Sequence, residues 1–241
     1  MGYLKKQLEF NSSRHRLWLE NRDFAAAVPA GSVVLDAGSG EAPYRDLFKH
    51  AQYESADFEK VDKRYAPSTY VCDLKSIPTA GDRFDFVVFN QVMEHLPEPQ
   101  LVLNELFRVL KPGGRMIYTG PLFYEEHEQP YDFFRYTQFG LKHLFGTSGF
   151  EIQRLEWLEG FLGTMAYQLN CMSRYMPCRP GDFNRGFQGI LIACLMMPLK
   201  FVFGLLSILF HKLEIRFKYT HRGYPKNYIA ILRKPIENRA S

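Results

Sequence analysis

The side chains with most chemistry to offer stand together in one segment, 121–137 (PLFYEEHEQPYDFFRYT). His127 carries an imidazole, a group that titrates near neutrality and can take a proton from a hydroxyl. Asp132 can orient that ring, and Arg135 can clamp a phosphate or carboxylate with its planar fork. A plainer reading stays open beside this one. In it, Asp132 and Arg135 pair only to pin the loop, and Thr137 caps the next helix. Upstream, Glu94 and His95 (MEHL) invite a metal or acid–base reading. No HExxH, paired-aspartate or clustered Cys/His pattern accompanies them, so the sequence proposes no metal.

A second set of residues suits a ligand better than a reaction. Gly38 and Gly40, in 34–42 (VLDAGSGEA), fall where a strand turns into a loop. Glycine tolerates positive φ there and lets a ligand approach the backbone. Asp57, about twenty residues on, ends a second short strand, where a carboxylate can accept both hydroxyls of a ribose. Asp73 follows a third (VCDL), placed to meet an adenine amino group, and Asn90 and Gln91 end a fourth (FDFVVFNQ).

These residues need a scaffold, and the chain punctuates one. Ser12 and Ser13 can cap a helix running to about residue 27, stopped by Pro29 and Gly31. Strands are expected at 32–37, 53–57, 70–72 and 84–90. An amphipathic helix over 99–110 turns Val102, Leu103, Leu106, Val109 and Leu110 to one side. Pro112, Gly113 and Gly114 end it, and 115–119 returns as a strand. A helix over 137–148, closed by Gly149, precedes strands at 150–158 and 227–233. Alternating strands and helices imply right-handed crossovers and a mostly parallel sheet covered on both faces.

In this order, LDAGSG, CDL, FDFVVFNQVMEHL and LNELFRVLKPGG resemble the class I S-adenosylmethionine (SAM)-dependent methyltransferases of the type 11-like kind, over 31–155. The resemblance implies an α/β, Rossmann-like, seven-stranded sheet with SAM as cofactor. It further implies Asp36, Gly38 and Gly40 at the methionine end, Asp57 at the ribose, Asp73 and Leu74 at the adenine, and Asn90, followed by Gln91, beside the sulfonium. The MEHL stretch then starts a helix and shapes the pocket, and 121–137 faces the donor methyl. Ala42 departs from the family, where a third glycine often stands. The pattern His127-x-x-Pro130-x-Asp132-Phe-x-Arg135-Tyr-Thr is similar to a bacterial subgroup associated with cell-surface glycan genes. A nicotinamide fingerprint fails because Pro43 occupies its last position. No NPPY-type segment follows the fourth strand, which argues against nucleic-acid methylation.

With 241 residues, 46% hydrophobic and 23% charged, the chain has the profile of a folded protein. A net charge of +4 makes no demand for nucleic acid. Cations gather after Tyr175 (Arg179, Arg185, Lys200, Lys212, Arg216, Lys218, Arg222, Lys226, Arg233, Lys234, Arg239), which suits an anionic surface. Cys72, Cys171, Cys178 and Cys194 form no CxxC pair and read as free thiols in a reducing compartment. Residues 1–22 lack the apolar run of a secretory signal, and Lys6 breaks a myristoylation motif at Gly2.

The expected organisation is an N-terminal helical segment (1–30), a SAM-binding domain (31–158), a hydrophobic helical insertion (159–223) and a final strand with tail (224–241). Within the insertion, 190–210 is apolar except for Lys200 and Ser207. A bilayer core takes about 20 such residues. A single crossing would strand 227–233 on the far side from its sheet, and Pro198 and Lys200 sit mid-run. Two short helices broken near Pro198, re-entrant or lying in the interface, are therefore expected. A buried hairpin or homodimer interface is the alternative.

The expected function is O-methylation of a membrane-proximal acceptor, such as a lipid-linked sugar or glycan precursor. The protein would sit on the cytoplasmic face of the inner membrane through 187–211, with no nucleic-acid partner. An enzyme acting on an apolar quinone-type or lipid-type molecule, and a non-catalytic SAM-binding membrane-docking protein, are the alternatives.

Overall fold

The computed structural model describes residues 11–183 and 186–236. Seven strands form one sheet: β1 (Val33–Ala37), β2 (Gln52–Asp57), β3 (Tyr70–Val71), β4 (Phe84–Asn90), β5 (Leu110–Pro121), β6 (Glu151–Trp157) and β7 (Asn227–Arg233). Their order is β3-β2-β1-β4-β5-β7-β6. The first five run parallel, and β7 is antiparallel to both β5 and β6. The order reverses between β1 and β4, where an open α/β sheet leaves a crevice at the carboxyl ends of its strands.

Period-two patterning explains why both faces are covered. Leu35, Val87, Met116 and Ala230 enter one apolar cluster with Leu103, Leu106, Leu141 and Phe145. Their strand neighbours Val34, Val88, Ile117, Ile229 and Ile231 enter the other, with Phe24, Val28 and Phe48. The helices supplying these layers are α1 (Ser12–Ala26), α2 (Pro99–Val109) and α3 (Gln138–Thr147). Phe84, Phe89, Leu103 and Phe145 are wholly buried. Truncating any of them to alanine costs about 2–5 kcal/mol, through lost transfer energy and the cavity left behind.

Most boundaries fall within a residue or two of expectation, and β4 and β7 match it. The turn before β5 differs. Leu110 already pairs with Phe84, while Arg115 pairs with Phe86, so Lys111–Gly114 bulges out of a strand that had been expected to begin at 115. Gly113, at φ +81°, lets the backbone make that excursion without ending the strand. The MEHL stretch forms a single 3-10 turn, Met93–His95, and α2 starts only at Pro99.

By packing, the chain divides into two units. Among the described residues, the sheet unit comprises Leu17–Leu158 and 227–236; the other comprises 11–16 with the described part of Glu159–Lys226. Two helices build the latter, α4 (Phe161–Tyr175) and α5 (Phe187–Phe217). Instead of two short helices, α5 is one 31-residue helix that runs through Pro198. Proline removes one backbone hydrogen bond and crowds the preceding turn, but long helical flanks on both sides hold the rest of the ladder.

Polar side chains join the two helices. The Glu214 carboxylate accepts the Gly160 and Gly163 N–H groups at the start of α4, at 2.6 and 3.2 Å. Ser207 donates to the Ala166 carbonyl at 2.8 Å. Lys200, the charge in the middle of the apolar run, donates to the carbonyls of Arg174 and Met176 at the end of α4. Its cation therefore meets helix-terminal carbonyl dipoles, which is why it is tolerated there.

Candidate functional site

The loop after β1 is shaped by what stands above it. Gly38 has φ +75°, and a Cβ there would lie 2.4 and 2.6 Å from the two methyl carbons of Val92. Only glycine lets the β1 loop pass beneath the segment that follows β4. Gly40, at φ +51°, turns its N–H onto Asp57 Oδ2 at 2.8 Å. The other carboxylate oxygen of Asp57 accepts the Glu59 N–H at 3.1 Å. Thus the carboxylate ending β2 is held by backbone donors on both sides.

Next to these lies a cavity of about 200 Å³ whose walls include Gly38, Asp57, Asp73, Leu74 and Gln91. Five of the eight expected ligand-binding positions are brought together there. Asp73 ends its own turn by accepting the Lys75 N–H at 2.9 Å and leaves much of its side chain exposed. Gln91 adopts φ +56°, with its side-chain amide 3.3 Å from Thr119 Oγ1. The positive φ turns the chain sharply after β4, so the residues following Gln91 fold over the loop.

Asp36, Gly40 and Asn90 are not part of this wall. Asp36 is buried and accepts the Tyr53 hydroxyl at 2.5 Å. Burial pushes its carboxyl up to about 6; the Tyr53 bond opposes that shift and the nearby Asp57 charge adds to it. Asn90 donates to Asn21 Oδ1 at 2.7 Å and accepts from Thr119 Oγ1 at 2.8 Å. Its amide ties α1 to β5, where the resemblance had implied a place beside the sulfonium. The sequence carried no sign that Asn21, buried in α1, would claim it.

The loop after β5 docks on the turn after β4. Phe133 and Phe134 donate their N–H groups to the Glu94 carbonyl at 2.8 and 3.2 Å. Tyr136 donates its hydroxyl to the Met93 carbonyl at 3.3 Å. Glu128, Tyr131 and Phe133 thereby reach the cavity wall. Tyr131 meets Phe58 edge-on at 5.4 Å, and Glu128 binds Lys63 Nζ at 2.8 and 2.9 Å. Phe58, Lys63, Glu128 and Tyr131 were not among the expected site residues. The spacing of the His127–Arg135 pattern already spans two of them, but nothing in it shows which side chains point inward.

Within that loop, Arg135 forks onto both oxygens of Asp132 at 2.6 and 2.8 Å. Its remaining N–H groups go to the carbonyls of Tyr124, Phe134 and Glu125. All five guanidinium hydrogens are engaged inside the loop, which corrects the expectation of a free clamp for phosphate or carboxylate. The Arg135 hydrogen bonds hold the Asp132 carboxyl down at about 2 despite its burial, with help from the His127 N–H. Asp132 receives that N–H at 2.8 Å and lies 3.3 Å from His127 Nδ1. Thr137 caps α3 by accepting the Gly140 N–H.

The profile of a methyltransferase domain matches residues 10–158. A tRNA (carboxymethyluridine(34)-5-O)-methyltransferase of Xenopus tropicalis is 32% identical over 121 residues, covering 47% of this chain and 19% of that protein. The ubiquinone/menaquinone biosynthesis C-methyltransferase UbiE of Desulfotalea psychrophila is 33% identical over 104 residues, covering 38% of this chain and 42% of the relative. The chain thus spans less than half the length of these relatives. Among solved structures, a putative sarcosine dimethylglycine methyltransferase from Galdieria sulphuraria aligns with a TM-score of 0.55 at 17% identity, covering 93% of this chain and 85% of that one. A phosphoethanolamine N-methyltransferase from Haemonchus contortus in complex with S-adenosyl-L-methionine aligns at 0.54 and 17% identity, over 90% of this chain and 53% of that one. By its match to that profile over more than half of its length, this chain belongs to the methyltransferase-domain family, whose cofactor is S-adenosylmethionine.

Proposed function

We propose that the protein transfers the methyl group of SAM to an oxygen of a membrane-proximal acceptor, such as a lipid-linked sugar or glycan precursor. One observation carries the choice of acceptor: α5 is long and apolar enough to cross a membrane, yet its most apolar window is only 11% buried. Phe187, Leu195, Phe201 and Leu205 are 75, 60, 69 and 54% exposed. A helix apolar over most of its outer surface belongs against lipid rather than water. The location that follows is the cytoplasmic face of a membrane, by peripheral attachment, since an unbroken helix does not re-enter.

In the donor half of the cavity, Asp57 serves the ribose, Asp73 and Leu74 the adenine, and Gly38 with Gln91 the methionine end. Asp36 and Gly40 act from outside the wall, as an ionisable group and a loop anchor. Methyl transfer is an in-line displacement, so alignment of acceptor oxygen, methyl carbon and sulfur supplies most of the rate. His127 is the group assigned to the acceptor's proton, with Asp132 setting its position. Asp132 and Arg135 act through the loop.

The Xenopus relative's name places its methyl on an oxygen, which agrees with this reading. The quinone enzyme among the relatives supports the second reading, an apolar quinone-type acceptor. The test supplies methyl-labelled SAM and a lipid extract from cells lacking the gene. Label entering the lipid phase as a methyl ether, and lost in His127→Ala with SAM binding intact, supports the proposal. Label on carbon supports the quinone reading, and no transfer to either opposes both.

A further inference from the structure

Three metal-ligating groups converge in the sheet unit. Glu94 is 1% exposed, and among the described residues no other side chain gives either of its carboxylate oxygens a hydrogen bond. His95 Nε2 lies 3.9 Å from Glu94 Oε1 and 4.0 Å from Glu128 Oε2. The His127 ring meets the His95 ring edge-on at 4.7 Å. One ligand atom from each of Glu94, His95 and His127 lies within 4.8 Å of the others.

The outer partners fix which ring nitrogens carry hydrogen. His95 Nδ1 is 2.5 Å from the Tyr131 carbonyl, which only accepts, so Nδ1 bears the proton and Nε2 is left with its lone pair. His127 Nδ1 lies 3.1 Å from the Glu125 carbonyl and 3.3 Å from Asp132 Oδ2, which assigns the same tautomer. A bare imidazole nitrogen facing carboxylate oxygens repels them, and a buried carboxylate without a donor is costly. Arg135 gives Glu94 no hydrogen bond, since its hydrogens are engaged elsewhere in the loop, and acts on it only through the longer-range attraction of its charge. A cation at the centre satisfies every one of these groups. Imidazoles backed by a carbonyl or carboxylate are the usual outer shell of a metal site.

We propose that Glu94, His95 and His127 bind a divalent transition-metal cation such as Mn²⁺, Co²⁺ or Zn²⁺, with Glu128 at the rim as a further ligand. Two imidazoles and a carboxylate favour such ions over Mg²⁺. Metal–ligand bonds of about 2.0–2.2 Å around one ion need only small side-chain adjustments from this spacing.

The site stands on this geometry alone; its part in catalysis rests on the O-methylation proposed above. There the cation accepts the acceptor hydroxyl and lowers its pKa. The O–H bond breaks and its proton passes to water. The oxygen's electron pair then forms the bond to the methyl carbon while the sulfur–carbon pair returns to sulfur. With the cation bound, His127 serves as a ligand.

The test uses the full chain, freed of metal by chelator and titrated with Mn²⁺ while the paramagnetic resonance signal of free Mn²⁺ is followed. SAM and acceptor are left out, so a failed O-methylation proposal leaves this reading unaffected. One Mn²⁺ should bind per chain and be displaced by Zn²⁺. Glu94→Gln and His127→Ala should each weaken binding at least about tenfold, and His143→Ala, on exposed α3 surface, should change nothing. Should the buried Glu94→Gln variant fail to fold, His127→Ala, on a partly exposed loop, decides. No stoichiometric Mn²⁺ in the wild type, or undiminished binding in the folded variants, overturns the proposal.

Discussion

The N–H of Gly40 donates to Asp57 Oδ2 at 2.8 Å, so the glycine loop after β1 is tied to the carboxylate that ends β2. Asp57→Ala cuts this tie and removes the proposed ribose acceptor together. Leaving the Gly40 and Glu59 N–H groups without their acceptor should cost about 1–3 kcal/mol in urea unfolding. SAM affinity should fall more than about tenfold, a loss of at least ~1.4 kcal/mol. Asp57→Asn, which keeps one acceptor oxygen, should fall between. Unchanged SAM affinity in Asp57→Ala would remove this residue from the donor site.

Gly38 and Val92 make a steric prediction. In Gly38→Ala the new Cβ meets the Val92 methyls at 2.4 and 2.6 Å and carries φ +75°. Strain of this kind costs about 1–3 kcal/mol, read as a lower denaturation midpoint. Adding Val92→Ala should recover part of it, because it relieves the contact and leaves the backbone strain. A double variant no more stable than Gly38→Ala would show that the contact is unimportant.

Arg135→Met leaves Asp132 buried without its cation. Stability should drop by about 3 kcal/mol, the usual loss when one member of a buried pair is removed. Asp132→Asn combined with Arg135→Met should be milder than Arg135→Met alone. Limited proteolysis should cut within 122–136 sooner in the single variant. A double-mutant cycle with no coupling would oppose the reading of this pair as the loop's pin.

Asp36 predicts a pH dependence. Its folded-state value of about 6 lies above the ordinary aspartate value of 3.8, so its neutral form is the one favoured by folding. The stability it contributes is complete below the unfolded value and is lost as pH rises through about 6. Asp36→Asn should therefore gain about 2 kcal/mol over wild type at pH 7.5, and little at pH 4. Cofactor binding should run the opposite way. SAM carries a sulfonium and an ammonium, so its affinity should weaken several-fold between pH 7.5 and 5 as Asp36 is protonated. Calorimetry across this range checks both the slope and its absence in Asp36→Asn; matching slopes would assign the effect elsewhere.

For α5, replacing exposed Phe201 and Leu205 by Glu should abolish co-sedimentation with lipid vesicles and leave SAM affinity as it was. Retained vesicle binding would send the search for the contact to another face.

The sheet was legible because its information is local. Phe84–Asn90 and Asn227–Arg233 are apolar runs long enough to announce themselves, and glycines mark the turns between elements. What escaped depends on partners distant in sequence. Asn90 is claimed by Asn21, and Lys200 by carbonyls at the end of α4. Lys234, counted among cations for an anionic surface, is bound by Asp82 and the carbonyls of Phe107 and Leu110. Arg185 and Arg239, from the same group, lie outside the described residues, as do the expectations for residues 1–10. Glu94 and His95 gave a weak signal alone, because the third member of their cluster is His127, supplied by a loop from another strand. Pro198 does not break α5, since propensity yields to long helical flanks.

The central claim is that the cavity lined by Gly38, Asp57, Asp73 and Gln91 holds the methyl donor. Calorimetric titration of the full chain with SAM, alongside Asp57→Ala and Asp73→Ala, tests it most directly. One SAM should bind per wild-type chain, with markedly weaker binding in both variants. Wild-type affinity retained in both, or no SAM bound by the folded wild type, would contradict it.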